Sequence, residues 1–177
     1  GCRHPEMRAA YISRHNRAVQ LLRRAVSKGA LGGCFTVMDA GSQDQLPNDV
    51  ASTRLPEWLR PTTCPKDDWA RMRPDLLLAP GLPAKPDTPP EGPLRLILVV
   101  LGYGSDTNHE WKYHQKTQQH ERLVALLREA GHDVSLQVVT LGTTGTLPTS
   151  LPTVLHNLGL TAEEGATLMQ KLHKLAT

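Results

Sequence analysis

Apolar residues first recur at helical spacing near the start of the chain. Ile12, Val19, Leu22 and Val26 fall on one stripe, which predicts a helix over about Met7 to Ser27, stopped by Gly29. Its other positions are strongly basic: Arg8, Arg14, Arg17, Arg23, Arg24 and Lys28. The pattern then changes period. Cys34 to Ala40 reads as a short strand with Phe35, Val37 and Asp39 on one side, and Leu76 to Leu78 as a second. Leu94 to Leu101 is almost wholly apolar, as a strand covered on both faces is. Thr107-x-x-Glu110 is a capping-box pattern and opens a helix to about Ala130, which Gly131 ends. Asp133 to Leu141 alternates Val134, Leu136 and Val138 against Ser135 and Gln137, the period of a strand. A short helix from about Pro152 follows. A second, capped by Thr161 and Glu164, carries Leu168, Met169, Leu172 and Leu175 inward, weakened at Gly165.

Two stretches break the pattern. Residues 41 to 72 hold few periodic apolar positions, and Leu55, Trp58, Leu59 and Trp69 are the residues expected to pin that excursion to the body. Residues 80 to 93 contain six of the fourteen prolines and read as a loop that cannot join a central strand. The order helix, strand, strand, strand, helix, strand, helix, helix predicts an α/β (α+β) domain in three layers, a small central mixed sheet flanked by helices.

Bulk properties narrow this only a little. A chain of 177 residues is one domain's worth, here 1–177, and can bury a core unaided. The net charge of +3 permits a nucleic-acid partner without demanding one. Three cysteines, Cys2, Cys34 and Cys64, show no paired spacing, which argues against a disulfide framework and suits a reducing, intracellular setting. The longest apolar run, Leu96 to Leu101, is strand length, so no membrane span is expected. No signal-peptide pattern opens the chain, and the first residue is not methionine, so a fragment of a larger protein is expected.

The candidate chemistry lies around the apolar strands. Stepping back from Leu127 and Leu123 along the second long helix gives His120 (or Gln119), Lys116 and Lys112 on the inward stripe. An inward lysine is costly unless it meets a charge, and Asp75 and Asp106 stand at the ends of the preceding strands. A structural ion pair, or a lysine reaching past the sheet edge, is the plain account of such a stripe.

The residues Arg73-Pro74-Asp75 before Leu76-Leu77-Leu78, then Leu101-Gly102-Tyr103-Gly104-Ser105-Asp106-Thr107, then Lys112, Lys116, Gln119 and His120 together resemble the PD-(D/E)XK nuclease superfamily. More closely, they are similar to the restriction-like endonuclease domain at the end of site-specific non-LTR retrotransposon polyproteins. Arg14-His15-Asn16, Gly33 to Ala40 and Leu141-Gly142-x-x-Gly145-Thr146 extend the resemblance over nearly the whole chain. It implies a restriction-endonuclease-like fold and a metal-dependent endonuclease whose nick primes reverse transcription. Asp75 would hold Mg²⁺ or Mn²⁺ with a second acid, and Lys116 would orient the attacking water or stabilise charge on the phosphate, with Lys112 a further catalytic candidate. Arg14, His15, Arg73, Gln119 and His120 would hold nucleic acid, DNA or alternatively RNA. The resemblance further implies a nuclear setting, with upstream reverse transcriptase and zinc-knuckle regions as partners. Cys2 and His4 stand where such a knuckle ends, too few ligands for zinc.

The sequence departs from that family at one point. The second acid is expected two residues before Gly102, where this chain has Val100. Asp39 and Asp106 are the alternative metal donors, although Asp106 is roughly 20 Å beyond Val100 along an extended strand. The competing expectation is a catalytically silent descendant of the same fold, binding nucleic acid or serving as a structural module, for example within a ribonucleoprotein.

Overall fold

The computed structural model of the chain describes residues 5–41, 46–105 and 109–176. Five α-helices and four strands follow in the order α1 (Pro5–Lys28), β1 (Cys34–Met38), α2 (Lys66–Ala70), β2 (Leu76–Pro83), β3 (Arg95–Gly104), α3 (His109–Glu129), β4 (Asp133–Gly142), α4 (Leu151–Asn157) and α5 (Ala162–Leu175). The strands form one mixed sheet, β1-β2-β3-β4. β1/β2 and β2/β3 run antiparallel, while β3 and β4, joined through α3, run parallel.

Period-two alternation splits the core between the two faces. On one, Val19, Leu22 and Val26 of α1 and Leu155, Leu168 and Leu172 of α4 and α5 meet Leu76, Leu78, Ile97, Val99 and Leu101. On the other, Leu123, Val124 and Leu127 of α3 meet Leu77, Leu96 and Leu98, with Leu55, Leu59 and Trp69 packed beside them. Helices therefore cover both faces of a mixed α/β domain.

Three expectations need correction. Ile12 is exposed, because the first part of α1 (residues 5–10 are exposed throughout) overhangs the core before Ala18 and Val19 reach it. The stretch read as unstructured contains α2, and residues 51 and 52 run beside β1: Ala51 N–H donates to Thr36 C=O and Met38 N–H to Ser52 C=O. That covers the exposed edge of β1. β2 also continues through Pro80 to Pro83, inside the proline-rich stretch. This is permitted because β3 pairs only with Leu76 to Leu78, so the prolines fall where β2 has a neighbour on one side alone. A shift in register between Cys34 and Phe35, with Gly81 at φ 96°, absorbs the irregularity.

The Thr161/Glu164 capping box forms as expected, each side chain meeting the other's backbone N–H. Thr107, Asp106, Cys2 and His4 lie outside the described residues. Cys34 and Cys64 are buried and free. No helix among the described residues is long and apolar enough to cross a membrane.

Candidate functional site

The site forms where β2 begins. β2 pairs with β3 from Leu76↔Val99 onward, so the β3 backbone beyond Val99 lacks a β2 partner. The Asp75 side chain fills that gap: its Oδ2 accepts the Leu101 N–H at 2.6 Å. Its main chain is anchored on the other side, where Asp39 N–H donates to Asp75 C=O at 3.0 Å. Pro74 supplies no N–H and is buried at this corner.

From α1, His15 reaches the same carboxylate. Its Nε2 lies 3.3 Å from Asp75 Oδ1 and 3.1 Å from Leu101 C=O, and its Nδ1 lies 3.5 Å from Asn16 Oδ1. Both ring nitrogens face oxygen acceptors, which suits the doubly protonated ring. Burial is the largest single influence on His15 and pulls its pKa down. The hydrogen bond and charge of Asp75, with Asn16 and Leu101, together outweigh it and raise the pKa above 6.5.

α3 approaches from the opposite face. Alternation along β3 turns Val100 and Gly102 toward it. Gly102 has no side chain, and its space is taken from above: a Cβ there would lie 2.9 Å from Lys116 Cε and 3.0 Å from Lys112 Cε. Burial, then the neighbouring Lys116 charge, lowers the Lys112 pKa. One turn further along α3, His120 is buried. Burial dominates there too and lowers its pKa, with Asp75 opposing and Lys116 reinforcing the shift. Two histidines thus bracket one carboxylate, one inclined to carry charge and the other to remain neutral.

The remaining expected residues lie around this centre. Arg73 grips Asp39 through two hydrogen bonds, Nε to Oδ2 at 2.9 Å and Nη2 to Oδ1 at 2.8 Å, and this pairing raises the Arg73 pKa. Gln119 is exposed and shares a cavity of about 420 Å³ with His120, Arg71, Arg73 and Arg122. Arg14 lies on α1 with its guanidinium carbon 4.5 Å from the Tyr103 ring centroid. Arg14 Nε and the Tyr103 hydroxyl are buried without a hydrogen-bond partner among the described residues. Such groups cost about 1–3 kcal/mol each.

The described donors, which do not include Asp106, fit a divalent cation poorly. Asp75 has both oxygens engaged, Val100 is apolar and fully buried, and Asp39 is held by Arg73. Among the described residues, no group of three or more His, Cys, Asp or Glu side chains converges to hold a metal ion. What gathers instead is positive: His15 on Asp75, Lys112 and Lys116 over Gly102, and Arg14 over Tyr103. Such a centre attracts an anion.

Sequence reasoning missed two things here. It gave Gly102 no role beyond marking the motif, although a glycine at the end of an apolar strand signals close approach from above. It also did not pair His15 with Asp75, since residues so far apart in sequence give no local signal. Compared with known proteins, the sequence matches no family model and no curated protein.

Proposed function

We propose that this chain is a restriction-endonuclease-like domain, of the kind carried by site-specific non-LTR retrotransposon polyproteins, that grips the phosphate backbone of nucleic acid. The observation that carries this reading is the convergence of Lys112 and Lys116 over Gly102 beside Asp75. In the pattern (D/E)-X-K, Val100-Leu101-Gly102 occupies the three strand positions. The lysine position is vacant, and two ammonium groups from α3 approach the vacated space. The acid position is apolar. The centre therefore keeps the phosphate-binding half of such a site and lacks the second carboxylate of the metal-binding half. Within this reading the ligand is DNA, with RNA as the alternative. The partners are the reverse transcriptase and zinc-knuckle regions of the same polyprotein, and the compartment is the nucleus.

Each ammonium group contributes as a point charge against a phosphate oxygen. Such contacts position the strand without reading its bases, and they release counterions, so affinity falls steeply with salt. Fluorescence anisotropy of a labelled duplex over a range of salt concentrations tests the reading. Absence of binding at low salt would remove it.

A second reading, a nicking nuclease dependent on Mg²⁺ or Mn²⁺, is favoured by His120, which interacts electrostatically with both Asp75 and Lys116 and so gathers acid and base around one point. It predicts conversion of supercoiled plasmid to open circle, abolished by Asp75→Ala. Intact plasmid at high protein excess excludes it. Val100→Glu adds the missing carboxylate and is the variant in which such activity is expected first.

A further inference from the structure

A second cavity, of about 590 Å³, opens beside the Asp75 centre on the α1 side. Met7 and Leu175 give it apolar walls, Tyr11 an aromatic one, and Ser13, Arg14, Arg17 and Thr143 its polar groups. Among the described residues no carboxylate lines it and neither Arg14 nor Arg17 forms an ion pair; Arg14 Nη1 reaches only the Thr143 carbonyl, at 3.5 Å. Tyr11 links it to the centre: its ring stacks on His15 with centroids 6.4 Å apart and meets Tyr103 edge-on at 6.3 Å. Beneath lie the two orphaned polar groups, Arg14 Nε and the Tyr103 hydroxyl. Tyr103 is only 4% exposed. A buried donor without an acceptor is an unusual feature to leave beside an open cavity, and an oxygen-rich anion would satisfy it.

We propose that this cavity receives one unpaired nucleotide of a bound strand, its phosphate on Arg14 and Arg17 and its base against Tyr11. The inference rests on the backbone-binding reading above and specifies the form of nucleic acid. A base inside a duplex is stacked on its neighbours and offers no face to Tyr11; an unpaired base at a strand extension does. The phosphate enters beside Arg14, and a rotation of the guanidinium turns Nε–H toward it. Neighbouring phosphates then run past His15 toward Lys112 and Lys116.

The test compares two labelled DNAs of equal phosphate number, one fully paired and one ending in an unpaired purine extension, by anisotropy at fixed salt. The expected result is tighter binding of the extended DNA by on the order of tenfold, within the range of one base–aromatic stack. That ratio should fall to about one in Tyr11→Ala and persist in Tyr11→Phe, which retains the ring. Placing 2-aminopurine in the extension gives a second readout, its fluorescence quenched on binding to the wild-type protein and not to Tyr11→Ala. Equal affinity for the two DNAs overturns the inference and leaves the backbone-binding reading standing. Binding of neither DNA overturns both. Free adenosine 5′-monophosphate displacing the extension at equal concentration would assign the cavity to a soluble nucleotide and overturn the strand assignment.

Discussion

The two halves of α3 lie over the same sheet and have opposite chemistry. Its second half lays Leu123, Val124 and Leu127 on Leu96 and Leu98, a dry contact. Its first half brings Lys112 and Lys116 over Gly102 and buries His120 beside them. Helix propensity does not separate the halves, since lysine and leucine are both good formers. The strand beneath does: β3 presents leucines under one half and a side-chain-free position under the other. One half anchors the helix, and the anchorage holds costly cations close together where a ligand can meet them.

The largest effect is expected at the anchor. Leu127 is fully buried, and Leu127→Ala is expected to lower stability by about 2–5 kcal/mol in urea unfolding. A loss below about 1 kcal/mol would mean the dry half is not what holds α3. The opposite pattern is expected at Lys112 and Lys116. Replacing both with Gln keeps most of each half-buried stem and removes two partly desolvated like charges, so urea stability should fall by less than about 1 kcal/mol or rise as their mutual repulsion is relieved. Affinity for duplex DNA should fall, and the slope of log affinity against log salt should shrink by about 1.8 if each lysine neutralises one phosphate.

Gly102→Ala sharpens the comparison at the point of contact. The new methyl would press on Lys116 Cε and Lys112 Cε, the far parts of flexible side chains. The expected outcome is a stability change under about 1 kcal/mol with a severalfold loss of affinity, since over-filling is cheap where the neighbours can move. An unchanged affinity would mean that the position of the lysines above Gly102 does not matter.

The smallest expected effect is in pH dependence. His15 has its folded pKa raised above 6.5, so its contribution is fully present below 6.5 and is lost as pH rises through the raised value. His120 has its folded pKa lowered, so the unfolded chain binds the proton more readily and stability falls as pH drops below 6.5. The two slopes oppose, so stability should fall on the alkaline side through His15 and on the acid side through His120. Asp75→Asn removes the chief support of the His15 charge and should flatten the alkaline limb of urea stability against pH. It also removes the charge that opposes His120's shift, so the acid limb should not weaken.

Much of the fold was legible because it depends on local period. The switch from helical spacing at Val19, Leu22 and Val26 to the unbroken run at Leu96 to Leu101 marks a covered sheet, and the structure has one. What escaped was set by neighbours distant in sequence. Whether Pro80 could lie in a strand depended on where β3 stops pairing, and whether Ile12 was buried depended on where the sheet ends. The site divides in the same way. The inward stripe Lys112, Lys116 and His120 followed from spacing along one helix. The engagement of Asp39 by Arg73 did not, because it joins the end of β1 to the residue before Pro74 and removes a carboxylate that spacing alone left available.

Under the proposed reading, the pole around Asp75 binds phosphate through α3 and, among the described residues, lacks the second acid of a metal site. The most direct test is one titration of labelled duplex DNA, repeated across salt with and without Mg²⁺, on the wild-type protein and the Lys112→Gln/Lys116→Gln variant. The account predicts salt-sensitive binding by the wild type, a shallower salt slope in the variant, no tightening with Mg²⁺ and DNA recovered intact. Identical salt slopes for the two proteins, or DNA cut by the wild type once Mg²⁺ is added, would contradict it.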